Sequence, residues 1–172
     1  KLKEIDKRVG LFRRGQRVLD LGASPGSWTL FAADRVGREG KVIGIDLNDA
    51  RVGMPPQASF RTLDVFNLTA EDLGGPDSFD VVISDMAPHT SGQRHADQFR
   101  SFELYVRALE IAAMVLVPGG AFVGKIFQGP EIEEARKRTR ELFSQVRTIK
   151  PEASRAESYE VFLVGQGRRT SR

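Results

Sequence analysis

Residues Arg17 to Trp28 read RVLDLGASPGSW. The first five, Arg17–Leu21, are an apolar run broken by one acid, Asp20. A turn carrying Gly22, Pro25 and Gly26 follows, and then Ser27–Val36, where Trp28, Phe31, Ala32 and Arg35 recur at helical spacing. Strand, glycine turn and helix in that order open an α/β fold. The rest of the chain repeats the alternation. Apolar runs at Val42–Ile45, Ser59–Leu63, Phe79–Ser84, Ala121–Ile126, Val146–Ile149 and Tyr159–Val164 read as strands. VIGI and VVIS are apolar on successive residues, as strands covered on both faces are. Lys1–Val9, Ser27–Val36, Phe99–Leu116 and Glu131–Phe143 read as helices. The third is expected to stop at Pro118-Gly119. The fourth starts behind Pro130, with acids first and bases later, matching the helix dipole. The prediction is a three-layer α/β sandwich around a mostly parallel seven-stranded sheet. The stretch Lys150–Ser158 is too short for a helix and carries Pro151, so the last two strands should form an antiparallel C-terminal hairpin at the sheet edge.

At 172 residues the chain is expected to be a single domain spanning 1–172, able to bury ~70% of its unfolded surface. With 40% hydrophobic and 28% charged residues it is an ordinary globule, which excludes collagen-like and disordered classes. No apolar run approaches the ~18 residues of a membrane span, and no secretory signal is visible, so a cytoplasmic chain is expected. It opens with Lys1 rather than Met, and an upstream segment is expected to be missing. The absence of cysteine excludes disulfides, thiolate zinc sites and cysteine nucleophiles, and with only His89 and His95 no metal is expected.

Residues 1–17 hold seven basic and two acidic side chains, and residues 136–172 hold ten and four. The middle, 18–135, holds nine basic and seventeen acidic. If the two ends meet in space they form a cationic face for a polyanion. Otherwise they are ordinary solvated charges.

Ligands of open α/β sheets bind beyond the carboxyl ends of the strands. Here successive strands run into Asp20, Asp46, Asp64 and Asp85. The first loop is spaced G-x-x-x-G from Gly22 to Gly26, not G-x-G-x-x-G, and Pro25 removes an amide donor. Four carboxylates repel a pyrophosphate and favour a cation. S-adenosylmethionine fits, with its sulfonium, ribose hydroxyls and adenine amino group, and Asp46 is placed for the ribose hydroxyls. Any one of these aspartates alone reads as a helix cap or turn residue; four at successive strand ends read as a pocket. A nicotinamide dehydrogenase is disfavoured by the same spacing and charge.

Lys125 ends the otherwise apolar run AFVGKIF. Burying it is costly unless it is paired, and Asp85 on the neighbouring strand end is the obvious partner. The bland reading is a structural ion pair; the functional one is a desolvated lysine doing proton work. Glu160, between Tyr159 and Val161, is expected to face the cleft from the last strand.

The motifs DLGASPGSW, SDMAP, GKIFQG and SRAESYEVF resemble the FtsJ-like family of ribose 2′-O-methyltransferases, over nearly the whole chain from Lys1 to Arg168. They are most similar to its bacterial-type branch, which acts on uridine in 23S, large-subunit ribosomal RNA. The resemblance implies a Rossmann-like methyltransferase fold, S-adenosyl-L-methionine as cofactor, and ribosomal RNA or the large ribosomal subunit as partner, with no metal or membrane. It implies a catalytic tetrad at Lys1, Asp85, Lys125 and Glu160, and cofactor contacts at Gly22, Gly26, Trp28, Asp46, Asp64 and Asp85. Of the family's Phe-Lys-Leu motif only Lys1-Leu2 is present, and the family's basic segment before it is expected to be missing here. The chain is read as a monomer.

Such a tetrad makes chemical sense. A ribose 2′-hydroxyl is a weak nucleophile, so a lysine is needed either to take its proton or to stabilise the developing alkoxide. The methyl group then passes in line to oxygen, and positioning dominates. Other signals are bland. His89 reads as a loop residue. Ser84 lacks a nucleophile elbow. Phe12, Phe102 and Phe127 show no stacking pattern. The alternatives are a transfer-RNA or cap ribose methyltransferase, and a non-catalytic RNA-binding assembly factor. An intact Asp85–Lys125–Glu160 set argues against the latter.

Overall fold

A computed structural model describes residues 1–155 and 158–170. Ala156 and Glu157 of the SRAESYEVF motif, and Ser171 and Arg172 of the basic C-terminal stretch, lie outside the described residues. The elements run α1 (Leu2–Val9), β1 (Arg17–Leu21), α2 (Ser27–Val36), β2 (Lys41–Asp46), β3 (Ala58–Thr62), β4 (Phe79–Ser84), α3 (Arg94–Val115), β5 (Leu116–Phe127), α4 (Ile132–Leu142), β6 (Phe143–Ile149) and β7 (Glu160–Arg168). Seven strands form one sheet in the order β3-β2-β1-β4-β5-β7-β6. The pairs from β3 to β5 are parallel, and β7 is antiparallel to both β5 and β6. The expected hairpin is present, with β7 inserted next to β5 and β6 left at the edge. Strand order reverses between β1 and β4, so their carboxyl ends diverge and leave a crevice.

Two apolar clusters cover the two faces of the sheet. One joins α3 and α4 to the sheet through Tyr105, Ile111, Phe122 and Phe143. The other joins α1 and α2 to it through Leu2, Ile5, Val36, Val123 and Phe162. In α1, Leu2 and Ile5 are buried, each worth roughly 1.5–3 kcal/mol. The exposed Arg8–Glu4 pair in the same helix contributes about 0–1 kcal/mol, so apolar burial anchors α1. Gln166 donates to the Val9 carbonyl (3.0 Å) and the Glu152 amide donates to Glu4 (2.9 Å). The two basic ends of the chain therefore meet in space.

The hairpin is longer than the sequence reading had it, since Phe143 begins β6 instead of ending the fourth helix and pairs with Arg168, beyond the expected end of β7 at Val164. Two further boundaries differ for physical reasons. α3 begins at Arg94, not Phe99, because Asp97 is buried and accepts both the amide (3.0 Å) and hydroxyl (2.8 Å) of Ser91. RHADQ has no apolar period to reveal this. β5 begins at Leu116, not Ala121, because Leu116 already pairs with Phe79; the register then shifts before Val81 pairs with Ala121. Pro118-Gly119-Gly120 is thus an irregularity within the strand rather than a separate turn.

Candidate active site

A cleft of about 420 Å³ opens at the carboxyl ends of β1, β2 and β4. Asp46, Asp64 and Asp85 line it, with Gly22, Ser24 and His89. A larger hollow of about 620 Å³, lined by Arg38, Lys41 and Gln57, lies at the opposite ends of β2 and β3 and holds none of the strand-end acids. Chemistry rather than size distinguishes the two.

The glycine turn shapes the cleft floor. Gly22 has φ 74°, and a Cβ there would run into the Met86 side chain. Its amide donates to the Ile45 carbonyl (2.8 Å), tying the loop to β2. Asp46 Oδ2 accepts the Ser24 amide (3.0 Å) and Oδ1 the Asn48 amide (2.9 Å). Each oxygen keeps a second lone pair for a hydroxyl donor. Asp64 caps a 3-10 turn at Val65–Asn67 by accepting the Phe66 amide (3.0 Å), so it is a turn residue and a cleft residue together.

The fourth expected acid is elsewhere. Asp20 points from β1 toward α2, fully buried, and its Oδ2 accepts the Thr29 hydroxyl (2.7 Å) while Oδ1 has no partner. Burial pushes its carboxyl up to about 8, with Asp85 and Asp46 adding repulsion and Thr29 pulling the other way. Three carboxylates, not four, line the cleft. Gly26 and Trp28 stand outside the lining. Gly26 caps α2 with φ 123°, and a Cβ there would press on Val52 and Met54. The Trp28 ring packs on Phe162 with centroids 5.6 Å apart, a core contact.

At the end of β5, Lys125 lies with its side chain 9% exposed. Its Nζ is 3.2 Å from Asp85 Oδ1 and 3.7 Å from Glu160 Oε2. The Asp85 contact is an ion pair without an aligned hydrogen bond, since that oxygen has no hydrogen-bond partner. Burial raises the Asp85 carboxyl against the lowering pull of Lys125. Glu160, in register with Phe127 across β5 and β7, also contacts Lys1 Nζ through Oε1. All four residues of the expected tetrad converge. An unpaired buried Lys125 would cost about 3–5 kcal/mol, so the carboxylates are obligatory neighbours.

Sequence reasoning missed three contributors. His89 lines the cleft although it reads as a loop residue. Ser24 fixes Asp46. Lys150 donates to the Glu160 carbonyl (3.2 Å) from the end of β6. Only the proximity of Ser24 to the glycine turn offered a signal. Among the described residues no group of three or more histidine, aspartate and glutamate side chains is placed to hold a metal, and no helix is long and apolar enough to cross a membrane.

Comparisons with known proteins identify the family. Residues 1–168 match the family described as FtsJ-like methyltransferase. The chain is 52% identical to the ribosomal RNA large subunit methyltransferase E of Sorangium cellulosum, over 99% of this chain and 81% of that protein. It is 49% identical to the protein of the same name from Oleidesulfovibrio alaskensis, over 97% and 82%. Among solved structures, a Plasmodium falciparum protein assigned as a ribosomal RNA methyltransferase superposes with TM-score 0.85 at 23% identity, over 99% of this chain and 96% of that one. At that identity the likeness speaks for the fold.

Proposed function

The chain belongs to the FtsJ-like methyltransferase family, and from that membership we propose that it methylates a ribose 2′-hydroxyl, that of a uridine, in large-subunit ribosomal RNA. The observation that carries the reading is the position of Asp85. It lines the carboxylate cleft and also pairs with Lys125, so one residue joins the cofactor cleft to the proton-handling group.

The cleft fits S-adenosylmethionine by the chemistry of its donors and acceptors: acids for a cation and hydroxyls, and a floor that only glycine permits at Gly22. Asp46 would hold the ribose hydroxyls, Asp64 the adenine end, and Gly22 and Asp85 the methionine end. Bound there, the cofactor supplies a methyl group on a positively charged sulfur.

The protein's own part is positioning and proton handling. Lys125 Nζ meets the RNA 2′-hydroxyl and lowers the cost of the charge developing on its oxygen. Asp85 and Glu160 hold that nitrogen from two sides, which fixes its direction. Lys1 balances Glu160. The hydroxyl proton passes to Lys125 Nζ as the C–O bond forms, so no free alkoxide enters bulk water. The names of the relatives at about half identity support large-subunit ribosomal RNA over transfer RNA or a cap structure. Methylation of purified large ribosomal subunits, their extracted RNA and transfer RNA, run side by side with labelled cofactor, tests this. Label confined to transfer RNA would contradict it.

A further inference from the structure

Tyr159 immediately precedes Glu160, and its place is fixed by the sheet. Its carbonyl accepts the Gln128 amide (2.7 Å), which continues the pairing of β5 and β7 past Phe127 and Glu160. Phe127 is buried and backs the tyrosine, with centroids 4.7 Å apart and planes inclined by 56°. Over the Tyr159 ring, 5.1 Å from its centroid, lies the guanidinium of Arg94. Beyond it is a second cavity of about 420 Å³, lined by Thr90, Gly92, Arg94, Asp97 and Tyr159. That volume is within the range of small-molecule sites. The cavity therefore adjoins the tetrad without being part of it.

Arg94 is not placed for stability. It is exposed, forms no ion pair with another described residue, and stands in the first turn of α3, where a cation meets the positive end of the helix dipole. A cation–π contact at an exposed site holds it only weakly. The cavity also contains the Asp97 carboxylate, which is occupied by Ser91. One cation and one carboxylate give a bare anion little gain. A flat, neutral ring with polar edges is served by everything present: an aromatic face, an exposed guanidinium to stack or reach an adjoining phosphate, and polar groups at the rim.

We propose that Tyr159, backed by Phe127 and flanked by Arg94, seats a nucleobase of the RNA strand next to the acceptor ribose. The inference rests on the RNA reading above and deepens it. Tyr159 is a binding residue one position from Glu160, so a base held on it sets how the neighbouring 2′-hydroxyl approaches Lys125.

The test compares the unsubstituted protein with Tyr159→Ala, Tyr159→Phe, Tyr159→Trp and Arg94→Ala. Steady-state methylation of large-subunit ribosomal RNA gives KM and kcat. Anisotropy with a labelled single-stranded RNA gives direct affinity, and calorimetry gives S-adenosylmethionine affinity. Tyr159→Ala should raise KM and weaken the direct affinity about 5- to 100-fold, as loss of a base–aromatic stack does. Cofactor affinity should not change. Phe and Trp should stay within about 3-fold of the parent, because stacking tolerates any aromatic ring. Arg94→Ala should weaken RNA binding by a smaller factor. The proposal is overturned if Tyr159→Ala binds RNA normally, if Phe fails as badly as Ala, or if cofactor affinity and Tm fall along with RNA binding. Should the unsubstituted protein methylate no ribosomal RNA at all, the function proposed above fails. The anisotropy series still decides the stacking seat on its own.

Discussion

Lys125 Nζ stands 3.2 Å from Asp85 Oδ1 at the ends of two adjacent parallel strands, and the same aspartate lines the neighbouring cleft. A buried ammonium needs this partner simply to exist in the fold. Kinetics separates that structural need from chemistry. Lys125→Ala should lower single-turnover methyl transfer about 10²–10⁴-fold if Nζ handles the hydroxyl proton. Cofactor affinity by calorimetry should persist, because Asp46, Asp64 and the Gly22 turn are untouched. Lys125→Arg should not restore the rate, since a guanidinium cannot act as a base at neutral pH. Retention of more than about a tenth of the rate, less than an acid–base contribution, would reduce Lys125 to an ion-pair partner.

Asp46 should matter to the cofactor and not to the chemical step. Asp46→Ala removes a charged acceptor, a loss of about 1.5–3 kcal/mol in S-adenosylmethionine binding. Calorimetry on the folded variant measures it. The Ser24 and Asn48 amides lose their acceptor too, so a modest fall in Tm accompanies the effect. Unchanged affinity contradicts the assignment.

The pH dependence of stability should carry the mark of Asp20. Its folded value of about 8 lies far above the ordinary 3.8. Between those values the unfolded chain has released a proton that the folded protein keeps, so rising pH favours unfolding across that window. Asp20→Asn is neutral throughout. The Tm of the variant should therefore gain on that of the parent as pH rises from about 5 to 8. Parallel Tm curves would show that Asp20 holds no proton in the folded state.

RNA affinity should fall steeply with salt. The ends of the chain meet through α1, β6 and β7, and Lys3, Lys7, Arg147 and Lys150 are exposed there. Neutralised phosphates release counterions, so log K should decline linearly with log[salt]. Filter binding over a salt series gives the slope, and a flat response would leave these residues as ordinary surface.

The legible part of the site was the part written into strand ends. Asp46 and Asp85 close apolar runs, Asp64 closes the mixed strand SFRTL, and Lys125 stands out because its strand is otherwise uncharged. Glu160 follows from its place between Tyr159 and Val161 at the head of β7, where Val161 is buried. Asp20 was misplaced because it lies inside β1 rather than at its end, and nothing in the local pattern says that Thr29, nine residues on, would meet it. The Trp28 side chain is claimed by Phe162, a partner far along the chain, and periodicity cannot foresee it. Arg94 and Tyr159 are joined only by the tertiary fold, as α3 begins beside the start of β7. The strand order, with β7 ahead of β6, was open for the same reason: a hairpin fixes which strands pair but not which one joins the sheet.

The proposed reaction is methyl transfer to a ribose hydroxyl of large-subunit ribosomal RNA. Nucleoside mass spectrometry reads it directly, after large subunits or their RNA have been incubated with the protein and S-adenosylmethionine carrying a deuterated methyl group. Label is expected in a 2′-O-methyluridine, lost with Lys125→Ala while the variant still binds the cofactor. Label on a base, or none in ribosomal RNA while transfer RNA is methylated, would contradict it.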